Sequence, residues 1–106
     1  MFIAAGATDM RKSINGLSLI VEEEFELDLF SESLFAFCNR RKDMVKILYW
    51  SGNGFCIWMK RLEQDVFCWP DTEQDVIEIN QSALQWLLSG LDIRQAHRQL
   101  EYNSVS

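Results

Sequence analysis

The sequence predicts an α+β fold, an antiparallel meander sheet of about five strands with an N-terminal helix and a C-terminal helix. Two apolar runs flank Gly52-Asn53-Gly54, and this break predicts a hairpin because Gly and Asn tolerate the positive φ of tight loops. Amphipathic helical patterns precede and follow the strand-like runs. With 106 residues, 48% of them hydrophobic, and one proline, we expect a single domain with an ordered core over about 2–92 and a polar tail over about 94–106.

The first part of the chain predicts a strand and then a helix. A short strand is expected over Phe2–Ala5, and Thr8 or Asp9 is expected to cap the helix that follows. Apolar residues then recur every three or four positions, at Met10, Ile14, Leu17, Val21 and Phe25. Glutamates crowd the end of this helix between positions 22 and 26, where the helix dipole disfavours anions. They form either a solvated end or an acidic docking surface.

The remaining elements follow from strand-like runs and a second helical pattern. The expected strands are Leu34–Asn39, Met44–Ser51, Phe55–Lys60, Val66–Trp69 and Val76–Ile79. Pro70 ends the fourth of these because proline has no N–H to donate to a ladder. Asn80 can cap a second helix, whose apolar stripe is Ala83, Leu84, Leu87, Leu88 and Leu91, with Gly90 near its end.

Charge is unevenly distributed along the chain. The formal net charge is −6, which argues against polyanion binding by the molecule as a whole. Between Arg40 and Arg61, however, six bases and one acid give +5, so the rest of the chain carries −11. A basic patch on an acidic body is therefore expected, and patches determine which partners bind.

The sequence lacks the residues that several classes of function require. Three cysteines without a CxxC pair and a single histidine, His97, argue against zinc and favour buried free thiols. Asp71, Asp75 and Glu78 can be interpreted as hard-cation ligands, but a solvated acidic loop is the preferred interpretation. We therefore expect no enzyme activity, no metal and no cofactor. No apolar run is long enough to span a bilayer and no signal-peptide pattern is present, so we expect a cytoplasmic protein without membrane contact.

The register of the central hairpin decides which side chains share a face. A three-residue loop would set Ser51 opposite Phe55 and Lys46 opposite Lys60. One face would then be core, with Val45, Ile47, Tyr49, Phe55, Ile57 and Met59, and the other would carry Lys46, Trp50, Trp58 and Lys60. Like charges in cross-strand positions are destabilising, so paired lysines predict an anionic partner such as phosphate.

These arguments yield a set of candidate binding residues. The predicted phosphate contacts are Arg11, Lys12, Arg40, Arg41, Lys42, Lys46, Lys60 and Arg61. Trp50 and Trp58 either stack on bases or pack under a helix or a second subunit. Arg11 and Lys12 are expected in the first turn of the helix, where they contact phosphate or form a salt bridge to Asp9 or Glu63.

Several motifs occur in an order and spacing that resemble a known family. They are Thr8–Ser13 with Gly16-Leu17, Arg40–Asp43 running into Val45–Trp50, Gly54-Phe55, Lys60–Glu63, Phe67 and Trp69-Pro70. Over about residues 5–91 the chain resembles the small accessory protein, usually called TnpB, that the second open reading frame of the insertion sequence sixty-six transposons encodes. The resemblance implies a bacterial protein that is required for transposition beside a separate DDE-type transposase. Expected partners are the DNA of the element ends or target, the transposase and a possible second copy.

Overall fold

The computed structural model describes residues 1–90. Five strands and two α-helices follow in the order β1 (Phe2–Ala4), α1 (Ile14–Leu19), β2 (Phe35–Cys38), β3 (Met44–Ser51), β4 (Gly54–Arg61), β5 (Val76–Glu78) and α2 (Gln81–Leu88), and α1 continues as a π-helical segment, Ile20–Glu24. Leu91 and the predicted tail lie outside the described residues. Within the described part, no helix has the length and apolar character needed to cross a membrane.

The α+β class is confirmed, but the purely antiparallel meander is wrong. The sheet has the strand order β4-β3-β2-β1-β5, and β1 pairs with β2 in parallel while the other pairs are antiparallel. The chain leaves β1, passes through α1 and returns in the same direction as β2, because parallel neighbours need a crossover connection. The first helix therefore lies inside a β–α–β crossover, and β1 becomes an interior strand.

Both faces of the sheet are covered over strands β1 to β3, which the one-sided interpretation of the sequence did not predict. The α1 face packs Phe35, Phe37 and Leu48 against α1 and its extension. The α2 face packs Ala36, Cys38, Val45 and Ile47 against α2 and the segment at 67–69. All four residues of β2 are consequently buried, because a strand covered on both sides is apolar throughout rather than alternating.

The first helix starts later than predicted. Lys12 N–H donates to the Asp9 carbonyl at 3.1 Å in a turn, and α1 begins only at Ile14 after Ser13. Arg11 and Lys12 therefore precede the helix. The predicted apolar stripe is nevertheless confirmed, since Leu17 and Val21 are fully buried and Met10, Ile14 and Phe25 pack around the same core.

The predicted strand over Val66–Trp69 is wrong, because this segment crosses the α2 face instead of joining the sheet. Phe67 N–H donates to the Lys42 carbonyl at 2.6 Å, and Trp69 Nε1 donates to the Ala4 carbonyl at 2.8 Å. Both aromatic rings are buried. The segment thus supplies core residues without a ladder partner.

The second helix is capped as predicted. Asn80 Oδ1 accepts a hydrogen bond from Ala83 N–H at 2.8 Å. Helix α2 ends at Leu88, and Gly90 follows with φ +88°. This left-handed conformation is the one that glycine supplies after a helix C-terminus.

The central hairpin closes with two loop residues, not three. Ser51 pairs with Gly54, and Gly52 at the first loop position has φ +65°. Glycine at this position suits the type II′ turns that match the twist of a hairpin. The shorter loop shifts β4 by one residue, so Lys46 pairs with Met59 and Val45 pairs with Lys60. The predicted Lys46–Lys60 pair is therefore wrong.

Candidate functional site

The basic side chains of the described chain gather at one end of the sheet, although they do not share a face. Met44 at the start of β3 pairs with Arg61 at the end of β4. The loop after β1 joins them, since Thr8 N–H donates to the Cys38 carbonyl at 2.7 Å. We call this region the basic end; it contains Arg11, Lys12, Arg40, Arg41, Lys42, Lys46, Lys60 and Arg61.

A braced turn presents the central arginines of the basic end. Asn39 Oδ1 accepts hydrogen bonds from the N–H groups of Asp43 at 3.0 Å and Met44 at 3.1 Å. Its Nδ2 donates to Asp43 Oδ1 at 2.6 Å. Arg40 and Arg41 follow Asn39, and both are exposed. The hydrogen bonds of Asn39 therefore hold the turn in place, while the guanidinium groups of both arginines remain exposed to water.

The segment after β4 braces the same turn from a second direction. Leu62 N–H donates to the Asp43 carbonyl at 2.7 Å, and Phe67 N–H donates to the Lys42 carbonyl at 2.6 Å. Lys42 itself has φ +62°, a left-handed conformation that costs a residue with a β-carbon of the order of 1 kcal/mol. These bonds help to hold that conformation.

A shallow groove of about 440 Å³ runs beside the turn. It is lined by Ala7, Thr8, Asp9 and Met10 on one side and Asn39, Arg40 and Arg41 on the other. The groove thus lies between the loop after β1 and the braced turn, with two arginines on one wall.

Two further arginines of the basic end are ion-paired. Arg11 Nη2 lies 2.8 Å from Asp9 Oδ2, and Arg61 Nε lies 3.2 Å from Glu63 Oε1. The hydrogen bonds from Arg11 lower the pKa of Asp9 to about 2. Of the two salt-bridge partners considered for Arg11, the structure selects Asp9. No other ion pair is formed among residues 1–90, so Arg40 and Arg41 are unpaired within that range.

Lys46 and Lys60 are structural donors on opposite faces. Lys46 Nζ donates to the Met10 carbonyl at 2.7 Å and to the Lys12 carbonyl at 3.1 Å. Lys60 Nζ donates to the Leu88 carbonyl at 3.0 Å. Leu88 is the last residue of α2, where the helix dipole favours a cation. The structure therefore accounts for both lysines without a bound anion.

The two tryptophans are separated from each other and from the braced turn. Trp50 lies next to the hairpin, about 20 Å along β3 from Met44 at the usual strand rise. Its ring packs edge-on against Phe55 at 4.9 Å and Phe30 at 5.2 Å on the α1 face. Trp58 lies on the α2 face, is 42% exposed, and lines an apolar groove of about 300 Å³ with residues of α2. The predicted face shared by both tryptophans and both lysines does not exist.

The cysteines and carboxylates form no ligand cluster in the described part of the chain. Cys38 is buried, Cys56 is half-buried and Cys68 is exposed. Burial raises the pKa of the Cys38 thiol to about 12. No group of three or more His, Cys, Asp and Glu side chains within residues 1–90 is placed to hold a metal ion.

Sequence reasoning missed two features of this region. Asn39 is the residue that organises the basic turn, and the signal available was its place immediately before a polar turn, where Asn side chains bond to nearby backbone. Met59 was predicted in the core, yet it is 55% exposed, because it lies near the end of the edge strand β4.

A protein-family comparison covers nearly the whole chain. The model described as "IS66 Orf2 like protein" matches residues 1–98. The chain belongs to this family. IS66 is the insertion sequence sixty-six, so the family that the sequence motifs indicated is confirmed, and the IS66 Orf2-like protein is placed among the products of an insertion sequence.

Relatives of this IS66 Orf2-like protein occur in Sinorhizobium fredii. "Uncharacterized protein y4hO" is 38% identical over 94 residues, which cover 89% of this chain and 82% of the relative. "Uncharacterized protein y4jC" is 26% identical over 98 residues, covering 92% and 84%. No solved structure matches the IS66 Orf2-like chain significantly.

Proposed function

We propose that this protein is a non-catalytic accessory factor of insertion-sequence transposition that binds DNA phosphates through its basic end. The observation that carries the proposal is the pair Arg40 and Arg41. Both are exposed on a turn braced by Asn39, and neither is ion-paired within residues 1–90. Exposed guanidinium groups without an ion-pair partner can form bidentate hydrogen bonds to phosphate oxygens.

The other exposed bases extend the same contact surface. Lys12 is exposed beside the groove of the turn, and Lys42 is half-buried at its far corner. Arg11 and Arg61 contribute less, because each must leave a carboxylate partner to reach phosphate. Lys46 and Lys60 stabilise the fold beneath this surface.

The proposal assigns no base stacking to the tryptophans. Trp50 is held in an aromatic cluster at the other end of the sheet, and Trp58 lies in the middle of β4, opposite Ile47. Contact through a few cations and no base readout gives weak binding that depends little on DNA sequence and strongly on salt.

Fluorescence anisotropy with a labelled duplex from the element ends tests the proposal. The double variant Arg40→Ala/Arg41→Ala should weaken binding at low salt and reduce the slope of log K against log salt by about 2. The matched control is Arg11→Ala/Arg61→Ala, which removes the same charge from ion-paired positions and should weaken binding less. Absence of binding by the wild-type protein at low salt, or equal effects of the two double variants, would contradict the proposal.

A second function, an adaptor that binds the transposase, is favoured by one separate observation. Trp58 is large, apolar and 42% exposed, and it lines an apolar groove of about 300 Å³ together with Leu84 and Leu88 of α2. Co-purification with the DDE-type transposase of the same element tests this function. If Trp58→Ser abolishes co-purification while Arg40→Ala/Arg41→Ala leaves it intact, the adaptor interpretation is favoured over DNA contact.

A further inference from the structure

Strand β4 forms one edge of the sheet and is much more open than the other edge. It extends over Gly54–Arg61 and pairs with β3 at every position without a bulge. Within residues 1–90 no strand lies on its outer side. The opposite edge, β5, has only three residues and follows Pro70 and an acidic loop. Proteins protect edges by such short strands, charges and prolines, and the middle of β4 has none of these protections.

The register determines which backbone groups of β4 point outwards. Ser51 and Gly54 close a two-residue turn and exchange hydrogen bonds, so pairing groups alternate from there along the ladder. The N–H and C=O groups of Phe55, Ile57, Met59 and Arg61 consequently face away from β3. A run of alternating donors and acceptors of this kind is complementary to a second strand.

The exposed apolar side chains of β4 point to opposite faces of the sheet. Trp58 is 42% exposed on the α2 face, and Met59 is 55% exposed on the α1 face. A partner that docks on one face covers only one of them. A strand added at the edge contacts both, because its own side chains also alternate between the two faces.

We propose that two copies of this chain associate by antiparallel pairing of their β4 strands, which forms a continuous ten-stranded sheet. The outward groups permit a register in which Ile57 pairs with Met59 of the second copy and Trp58 faces its own counterpart across the two-fold axis. Aromatic cross-strand pairs of this kind are stabilising. The inference is independent of DNA binding.

Charge favours the antiparallel over the parallel direction for two paired copies. In this register Arg61 pairs with the uncharged Phe55 of the second copy, next to its hairpin turn. Parallel pairing would instead set one basic end against the other. Lys60 does not obstruct the edge, since its ammonium group is directed to the Leu88 carbonyl on the α2 face.

Proline substitution at Met59 tests the backbone contact. Met59→Pro removes an outward N–H, a change that an edge strand tolerates because its own ladder does not use that donor. Each dimer loses two intermolecular bonds, so its Kd should rise roughly 10–100-fold. The matched control, Met59→Thr, keeps the N–H and should change the Kd much less.

Sedimentation equilibrium over a range of concentrations provides the measurement, with circular dichroism to check folding. A wild-type monomer at all concentrations overturns the proposal. Equal weakening by Met59→Pro and Met59→Thr also overturns it, since the contact would then depend on the side chain.

Cross-linking provides a second test that does not need the proline variant to fold. In a Cys56→Ser/Cys68→Ser background, Trp58→Cys should form a disulfide-linked dimer on oxidation. Val66→Cys, at a position 55% exposed and off the edge, is the control for random collision. Equal rates for the two variants would reject the two-fold axis at Trp58.

Discussion

Lys46 and Lys60 lie on neighbouring strands near the same end of the sheet, yet their side chains point to opposite faces. Lys46 pairs with Met59 and Lys60 with Val45. Each ammonium group bonds to main-chain carbonyls, those of the loop before α1 in one case and of the end of α2 in the other. Lys46 thus links the sheet to the loop before α1, and Lys60 links it to the end of α2.

The first prediction is that Lys46→Met destabilises the protein by about 1.5–3 kcal/mol, the range for hydrogen bonds to charged groups. Methionine retains most of the aliphatic stem, so the loss reports on the bonds to the Met10 and Lys12 carbonyls. Urea unfolding measures the free energy. Lys12→Met, at an exposed side chain, serves as the control and should leave the midpoint unchanged; equal midpoints for both variants would refute the prediction.

Asn39→Ala should destabilise the protein and loosen the basic turn. The substitution leaves the N–H groups of Asp43 and Met44 without their side-chain acceptor, at a cost of about 1–3 kcal/mol. Amide hydrogen exchange at these two residues should accelerate more than at the centre of β2. Uniform acceleration throughout the sheet would show that Asn39 does not act locally.

Asp9 should titrate in strongly acidic solution. Arg11 lowers the pKa of Asp9 to about 2, so the folded carboxylate binds its proton more weakly than an unfolded one. Its contribution to stability is present above the ordinary pKa and is lost as the pH falls through about 2. NMR titration of the carboxyl carbon measures the midpoint, which Arg11→Ala should raise; an unchanged midpoint in that variant would exclude the ion pair in solution.

The cysteines should react with a thiol reagent at different rates in the native state. Cys68 is exposed and should react first, whereas Cys38 is buried, with its pKa raised to about 12. Thiolate is the reactive form, so Cys38 should react only when the protein unfolds. Because its folded pKa is raised, Cys38 favours the folded state at neutral pH and loses this effect as the pH rises towards 12. Mass spectrometry after timed labelling gives the order, and early labelling of Cys38 would contradict the burial.

Local patterns predicted much of the fold because they depend on neighbouring residues. The cap at Asn80, the stripe containing Leu17 and Val21, and the β3–β4 hairpin are all of this kind. The parallel β1–β2 pair was missed because strand order depends on contacts across the chain. Phe67 and Trp69 were assigned to a strand because burial alone produces the same apolar alternation.

The candidate binding residues were likewise predicted only in part. The cluster of bases was visible in sequence and is brought to one end of the sheet, because the turn after Cys38 and the end of β4 are neighbours in any β2–β3–β4 meander. Their faces were not predictable without the loop length, since a one-residue shift reverses every side chain of a strand. Gly54 pairs with Ser51 as the first residue of β4, which leaves only Gly52 and Asn53 in the loop and shifts the register by one residue.

The basic end lies where the β4 strand finishes, and this location has a consequence for any two-fold assembly along that strand. Antiparallel neighbours finish at opposite rims of the joined sheet, so the two sets of arginines face away from each other. The two basic ends of such an assembly therefore cannot contact one duplex from both sides. If the basic ends bind DNA as proposed, each would contact a separate duplex segment, and the dimer would hold the two segments apart at a fixed spacing.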